Sequence, residues 1–504
     1  MSSIIEQKKM TAEEVAKLIQ DGDIIGFGGF SSTGCPKAIA PQIAKKAKRL
    51  HDAEQKFQIS IYTGAGLSDE IDGELARADA LKYHAPFLLN KDLRNNINSG
   101  KTEFHDFHLS HFPQYLRYGI LPKNNIAIVE AIKVTADGKI YLTMSSGIAA
   151  TVLELADQIF IELNTALPET LIGLHDIYTP ANPPQRREIP IFNVQDRIGT
   201  HYVQVNPDKI VGIVQTTEEN KIPSFRQSDA ESNAIAEHII EFLVHEEKMG
   251  RLPQGLPYQS GVGNVANAVL AQMAENPQIT QISMFTEVIQ DSIFKIIDAD
   301  KLHCASATGL FLSQVAQSRF FNEIEKLKSK FIIRQQEISN HPEIIRRLGL
   351  IAMNTALEVD IFGHVNSTHV LGRKMMNGIG GSGDYCRNAY LSIFMTPSTA
   401  KNGLISSFVP FVSHVDHTEH DVQIVVSERG LADLRGLCPK LRAQLIIEKC
   451  VHPDYQPILS EYLAAGLKED CHTPQMLVRA FELYQRFEDR GSMQQEQLVK
   501  KLAI

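Results

Sequence analysis

The spacing of apolar residues changes repeatedly along the chain. Val15 to Ile19 carry an amphipathic pattern that predicts a short helix, and Asp21-Gly22-Asp23 predicts a turn. Ile24-Ile25 then run into Gly26-Phe27-Gly28-Gly29-Phe30, a strand ending in a glycine-rich loop. After Pro36, Ile39, Ile43 and Ala44 fall on one face of Lys37–Lys48 with lysines opposite, which predicts a helix. Strand, loop and helix make the α/β unit. Ile126–Val129 and Ile159–Leu163 predict further strands, and Ala136-Asp137-Gly138-Lys139 predicts a hairpin turn.

From Thr216 to Ser232 the pattern lapses into polar residues, which divides the chain into halves at 1–222 and 223–504. The order of signals then recurs. Gly261-Val262-Gly263-Asn264 opens a helix over Val265–Ala274, as the first glycine loop opened Lys37–Lys48. Leu357–Gly363–Thr368 repeats the strand, glycine turn and strand of Val129–Gly138–Thr143. Two hexapeptides nearly coincide: Gln58-Ile59-Ser60-Ile61-Tyr62-Thr63 precedes Gly64, and Gln281-Ile282-Ser283-Met284-Phe285-Thr286 precedes Glu287. Three matches in one order predict a duplicated α/β fold, two similar open α/β domains with chemistry on the second. On that view Gly64 tolerates a small change far better than Glu287 does. Pro342–Ile504 adds strands and a helical tail, over Pro474–Phe487 and Gln494–Leu502.

Composition narrows the class. The 504 residues exceed one core, and the length prior allows about 3 domains. With 43% hydrophobic and 22% charged residues the chain reads as a globular protein with a large core. A net charge of −9 without long single-sign runs argues against nucleic acid as partner. No apolar run reaches the roughly 18 residues of a membrane span, and the N-terminal residues have no apolar signal core. The six cysteines are scattered, as reduced thiols of a cytoplasmic protein are.

Four clusters carry candidate chemistry. Glu287 ends a strand, and Ile289, Ile293, Ile296 and Ile297 after it have helical spacing. It is therefore either a ligand-facing carboxylate at a strand's carboxyl end or an acid favourable to a helix dipole. Asn377-Gly378-Ile379-Gly380-Gly381-Ser382-Gly383-Asp384 lets backbone approach a ligand and present N–H groups, as an oxyanion hole does; its apolar flanks predict a buried loop. Gly26-Phe27-Gly28-Gly29 misses the dinucleotide spacing, leaving only a thin case for NAD. His105, His108 and His111, and His414, His417 and His420, drift around a helix and offer no clean metal face, so polar packing is expected and no metal. Glu428 ends another apolar strand, as a site acid or a surface charge.

Together these residues resemble the acetyl-CoA hydrolase/transferase family, in its succinate CoA-transferase branch of class I CoA-transferases. The likeness runs from Gly28-Gly29-Phe30 through Gly34-Cys35-Pro36-Lys37, Gln259 to Asn264 and Thr286 to Asp291. It continues in Glu337 to Glu343, Met376 to Asp384 and Ser413 to His420. It implies a CoA-transferase/NagB-like fold with the active site at the interface of the halves. By the same likeness the nucleophile is Glu287, and its oxyanion donors are the Val262–Gly263 turn and Gly381. Asn340 orients the glutamate, with Pro342 opening the next helix. Gly261, Gly380, Lys401 and Glu428 lie near the acyl and CoA groups, and Arg226 binds a carboxylate. Arg429, where the family commonly has Gln, and the variable Cys35 depart from the pattern and leave acyl preference open.

The chemistry so implied moves CoA between a short-chain acyl-CoA and a carboxylate such as succinate or acetate. CoA is then a substrate, no resident cofactor is needed, and a homodimer is implied. Closure of the cleft between the halves would keep water from a thioester. Net acyl-CoA hydrolysis, an effector-binding module without turnover, and a dinucleotide oxidoreductase are the competing readings.

Overall fold

Ile126–Val134 buries eight of its nine side chains and Leu391–Met395 buries all five, the pattern of strands covered on both faces. In the computed structural model, which describes residues 4–222 and 228–495, such runs form two nine-stranded sheets. The first contains β1 (Ile24–Phe27), β2 (Ile59–Tyr62), β3 (Leu81–Ala85), β4 (Glu103–Phe104), β5 (Ile126–Val134), β6 (Lys139–Leu142) and β7 (Gln158–Asn164). After β8 (His175–Asp176) the chain returns through β9 (Val203–Gln204) and β10 (Ile210–Thr216). The order is β10-β7-β5-β1-β2-β3-β4, with β6 and β9 added by antiparallel pairing beside β5.

The second sheet uses β11 (Tyr258–Ser260), β12 (Ile282–Phe285), β14 (Leu302–Ala307), β16 (Phe331–Arg334) and β17 (Ile351–Thr355). Two short strands, β13 (Val288–Ile289) and β15 (Gly309–Leu310), pair with each other outside it. Beyond β18 (Glu358–Asp360) and β19 (Val365–Asn366) come β20 (Leu391–Met395), β21 (Phe408–Val409), β22 (Ile424–Ser427) and β23 (Gly430–Asp433). Its order is β23-β22-β20-β17-β11-β12-β14-β16-β8. Seven strands of each sheet therefore share one winding: β4-β3-β2-β1-β5-β7-β10 matches β16-β14-β12-β11-β17-β20-β22. In each, the chain starts at the centre, steps outward three times, then crosses to the other side. The twin hexapeptides occupy equivalent places, β2 and β12, next to the point where winding reverses. Open α/β sheets bind ligands outside the carboxyl ends of strands at that point.

Several local expectations are corrected. Residues after Glu287 form β13, held by pairing with β15, and the helix begins only at Ile293 (Ile293–Asp298), so Glu287 is not in a first helical turn and the dipole reading falls. The Leu357–Thr368 hairpin does not extend the main sheet as β5–β6 does. Val359, Ile361 and Val365 instead pack into a separate core with Phe408 and Val409, and β18, β19 and β21 form their own sheet. The Pro474–Phe487 helix is replaced by a turn, Leu477–Arg479, and a later helix, Glu482–Arg490. There the Tyr462 hydroxyl accepts the Met476 N–H at 2.9 Å. In the Gln494–Leu502 segment, residues beyond 495 lie outside the described ones. Neither histidine triplet is on a helix: His105 and His108 precede the helix Phe112–Arg117, His111 is its N-cap, and His414 to His420 lie in the loop before β22. Among the described residues no group of three His, Cys, Asp or Glu side chains converges as metal ligands, and no helix is long and apolar enough to cross a membrane.

The halves are not independent. β8, from the first half of the chain, forms the edge of the second sheet, with His175 and Asp176 opposite Ile333 and Arg334. Arg334 is fully buried and ion-paired with Asp176, which fastens that edge.

Candidate active site

At the end of β12, Thr286 ties its strand to both neighbours. Its N–H donates to the Ser306 carbonyl at 2.9 Å and its hydroxyl to the Ser260 carbonyl at 3.1 Å. The Glu287 carbonyl accepts N–H groups from Thr308 (2.8 Å) and Gly309 (3.2 Å). With its backbone gripped on both sides, Glu287 lines a cavity of about 340 Å³ between the halves. The first half contributes Phe30, Phe87 and Leu109 to the wall; the second contributes Val262, Asn354 and Gly381.

Two groups hold the carboxylate. The Asn340 amide Nδ2 donates to Oε1 at 2.7 Å, and its orientation is fixed by the Ser339 hydroxyl, which donates to Asn340 Oδ1 at 2.8 Å. Asn340 caps a one-turn helix, Gln336–Ser339, and Pro342 opens the helix Pro342–Leu348 after it. That single turn is braced by the first half: Arg117 donates from Nη1 to Glu337 at 2.7 Å, and Gln336 Nε2 donates to the Leu109 carbonyl at 3.0 Å. The second group is the Gly381 backbone N–H. Burial pushes the Glu287 pKa up to about 7, against the lowering pull of Asn340 and of Gly381. A carboxylate so placed is a stronger base and nucleophile than one in water, yet remains ionised in part near neutrality.

Gly381 is glycine because nothing larger fits. A Cβ there would collide with Glu287 Oε1 and Asn340 Nδ2. The loop is buried along Gly378, Gly380, Gly381 and Gly383, as its apolar flanks predicted. On the opposite rim, Gly261 and Val262 line the cavity and Gly263, at φ +132°, starts the helix Asn264–Glu275. Gln290 Nε2 fixes the turn by donating to the Gly261 carbonyl at 2.9 Å. The first-turn N–H groups of a helix have no intrahelical partner, which makes this rim a donor surface.

Glu287, Asn340, Gly380, Gly381, Gly261 and Val262 are thus brought together, with Gly263 adjoining. Glu428 and Lys401 are not cavity residues. Glu428 accepts the Ser398 N–H at 2.7 Å and the Ser398 hydroxyl, and the Lys401 ammonium lies 5.0 Å from the centre of the Phe487 ring. Arg226 lies outside the described residues. Sequence reasoning placed the site between the halves but singled out neither Phe87 and Leu109 of the first half's wall nor Asp384. Asp384 is buried, receives the Ser110 hydroxyl at 2.6 Å and N–H at 3.0 Å, and is itself pushed up to about 7 by burial and by Glu287. It stood in the glycine run, where an acid next to a buried loop was the available signal.

The first glycine loop has a structural task. Where a dinucleotide fold would present the next helix's N-terminus to a pyrophosphate, the buried Glu162 carboxylate accepts N–H groups from Lys37 (2.6 Å), Ala38 (2.9 Å) and Ile39 (2.7 Å). A second anion has no place there.

Two family models match the chain: the acetyl-CoA hydrolase/transferase N-terminal domain over residues 3–215 and the C-terminal domain over residues 317–463. The chain is 47% identical to the succinyl-CoA:acetate CoA-transferase of Clostridium kluyveri over 491 residues, covering 97% of this chain and 90% of that protein. It is 43% identical to the propanoyl-CoA:succinate CoA transferase of Escherichia coli, over 96% and 98% of the two chains. It is 40% identical to an acetyl-CoA hydrolase of Candida albicans, over 98% of each. The crystal structure of RipA from Yersinia pestis superposes with a TM-score of 0.71 at 19% identity, covering 92% of this chain and 98% of that one, a likeness of fold. On these matches, which span nearly its whole length, the chain belongs to the acetyl-CoA hydrolase/transferase family.

Proposed function

We propose that this enzyme of the CoA-transferase type moves CoA between a short-chain acyl-CoA and a small carboxylate, through a γ-glutamyl-CoA thioester on Glu287. The observation that carries the reading is a carboxylate raised to about 7 in a cavity, with Asn340 and the Gly381 N–H on it. The acids suggested by the relatives' names are acetate, propionate and succinate.

Glu287 attacks the thioester carbonyl of the acyl-CoA, and the oxyanion is stabilised by N–H groups at Gly381 and at the Val262–Gly263 turn. The carbon–sulfur bond breaks, leaving an acyl-glutamyl anhydride and CoA thiolate. The thiolate then attacks the glutamyl carbonyl, the acyl carboxylate departs, and a glutamyl-CoA thioester remains. A second carboxylate attacks that thioester and the steps run in reverse, returning Glu287 and releasing a new acyl-CoA. Walls from both halves keep bulk water from the thioester. CoA is a substrate throughout, and no resident cofactor takes part. Two copies of the chain form the working assembly on this reading, which light scattering tests directly.

Incubation with an acyl-CoA alone is expected to leave a CoA-mass adduct on the peptide carrying Glu287, with ping-pong kinetics. No adduct, together with full exchange in Glu287→Ala, sinks the proposal. Net hydrolysis is the second reading, favoured by the 40% identity to an acetyl-CoA hydrolase. Thiol release from acetyl-CoA at a rate indifferent to added succinate or acetate would select it.

A further inference from the structure

The glycine loop that carries Gly381 is held from both halves. Gly378 stands at φ +141° and Gly380 at φ +58°, conformations open to glycine and costly to hold. Within the second half the Ser382 hydroxyl donates to the Ile379 carbonyl at 2.8 Å and His417 Nε2 meets that hydroxyl at 3.0 Å, while the N–H groups of Ser382 (3.3 Å) and Tyr385 (3.0 Å) donate to the carbonyls of Ile379 and Gly381. Further anchors cross the interface. Asp106 accepts the Ile379 N–H on both carboxylate oxygens, at 3.0 and 2.9 Å. Ser110 gives its hydroxyl and N–H to Asp384 just beyond the loop. Leu109 N–H donates to the Gly380 carbonyl at 3.3 Å, and Leu88 N–H to the Asn377 carbonyl at 3.0 Å. Residues 106–110 of the other half therefore fasten the loop before and after Gly381, with Leu88 adding a hold at Asn377.

We propose that Asp106 and Ser110 are positioning residues: by holding Ile379 and Asp384 they keep the Gly381 N–H on the Glu287 carboxylate. The proposal rests on Glu287 being the nucleophile. Neither residue touches the reacting atoms. Their side chains act on the loop from behind, while Glu287 and Asn340 crowd its front where a Cβ at Gly381 would collide. Sub-ångström slack in a donor aimed at a developing oxyanion weakens it more in the transition state than in the bound substrate, so the loss belongs in kcat.

The test uses the full-length enzyme. Asp106→Ala is expected to lower kcat about 10- to 100-fold, part of the loss seen when an oxyanion donor is removed outright, with KM for the acyl-CoA within about twofold. Asp106→Asn, which keeps an acceptor for the Ile379 N–H, is expected to recover kcat to within about threefold of the parent. Ser110→Ala, a milder change, is expected to lower kcat about three- to tenfold at unchanged KM. A purely structural role would lower the thermal midpoint and leave kcat per folded molecule alone, and that result overturns the proposal. If Asp106→Ala does not fold, Ser110→Ala decides: kcat within about twofold of the parent overturns the idea, on the scale of one hydrogen bond. Glu287→Gln, measured alongside, separates the two claims. Sustained exchange in Glu287→Gln removes the nucleophile and this proposal with it; an inactive Glu287→Gln beside a parent-like Asp106→Ala removes the positioning role alone.

Discussion

The ends of β2 and β12 are built alike and used differently. In both, a buried threonine follows the strand and donates its N–H to the next strand outward: Thr63 to Ala85 at 3.1 Å, and Thr286 to Ser306 at 2.9 Å. One residue later the first copy has Gly64 and the second Glu287. Gly64 is not merely a copy without a charge. A Cβ there would sit 2.7 Å from the Gly29 carbonyl oxygen and 3.1 Å from Gln336 Oε1, on the helix that presents Asn340. The duplicated position supplies a carboxylate in one half and, in the other, the room in which that carboxylate's partner is braced. Gly64 is therefore more constrained than a copy without a charge needs to be: the Gly29 backbone in its own half and the Gln336 side chain across the interface both stand close to it.

Substitutions can break this comparison from its strongest side downward. Glu287→Ala is expected to lower exchange by about 10⁴-fold or more, the scale on which loss of a covalent nucleophile acts, read as steady-state CoA transfer. Gly381→Ala places a methyl group against Glu287 Oε1 and is expected to cost about 10²- to 10³-fold in kcat with the fold retained, checked by circular dichroism beside kinetics. Asn340→Ala removes a hydrogen bond to a charged group, worth about 1.5–3 kcal/mol, or roughly 10- to 150-fold in rate. It also has a signed pH effect. Asn340 stabilises the ionised Glu287, so its loss raises the pKa above about 7 and moves the acid limb of kcat/KM to higher pH. An unmoved limb would mean that Glu287 is not the group titrating there.

How much of this was legible follows from the range of the interactions. The two hexapeptides, the glycine loop before Lys37–Lys48 and the strands around Ile126 and Ile159 are local patterns, and each sits where periodicity placed it. Glu287, Gly381 and Asn340 could be named from their motifs, but their convergence required the sheets to be wound. Asp106 could not be found this way, because its partner Ile379 is 273 residues away and an acid between two histidines reads only as polar packing. The run after Glu287 misled for a related reason: Ile289, Ile293 and Ile296 have helical spacing, but pairing of β13 with β15 outweighs it until Ile293. Lys401 and Glu428 carry motif positions whose side chains are engaged elsewhere, at Phe487 and Ser398. β8 crosses to the second sheet without any pattern in His175-Asp176 to announce it.

Gly64→Ala tests the quieter half of the comparison. The added methyl presses on backbone at Gly29 as well as on a flexible amide, so overpacking of about 1–3 kcal/mol is expected, read as a lower denaturation midpoint. Because Gln336 is displaced on the helix that ends at Asn340, kcat should fall by about tenfold or less, the scale of a weakened hydrogen bond. A variant as stable as the parent would return Gly64 to the role of an unmarked copy.

The smallest effect separates the cost of the charge from its use. A carboxylate whose folded pKa is about 7, against 4.5 when unfolded, binds its proton more tightly in the native state. Between those values the native form holds more protons than the unfolded form, so this group's contribution to stability falls as pH rises and the full penalty is present above about pH 7. Glu287→Gln keeps the shape and an acceptor for the Asn340 amide while removing the charge. It should therefore stabilise the protein at pH 8, by about 1–2 kcal/mol once the cavity's partial access to solvent is allowed for, and do so much less at pH 5. Gly64 carries no charge, so Gly64→Ala should shift stability equally at both pH values. A Glu287→Gln gain that is the same at pH 5 and pH 8 would mean that the carboxylate is not held against its preference, and the asymmetry between the halves would then be one of packing alone.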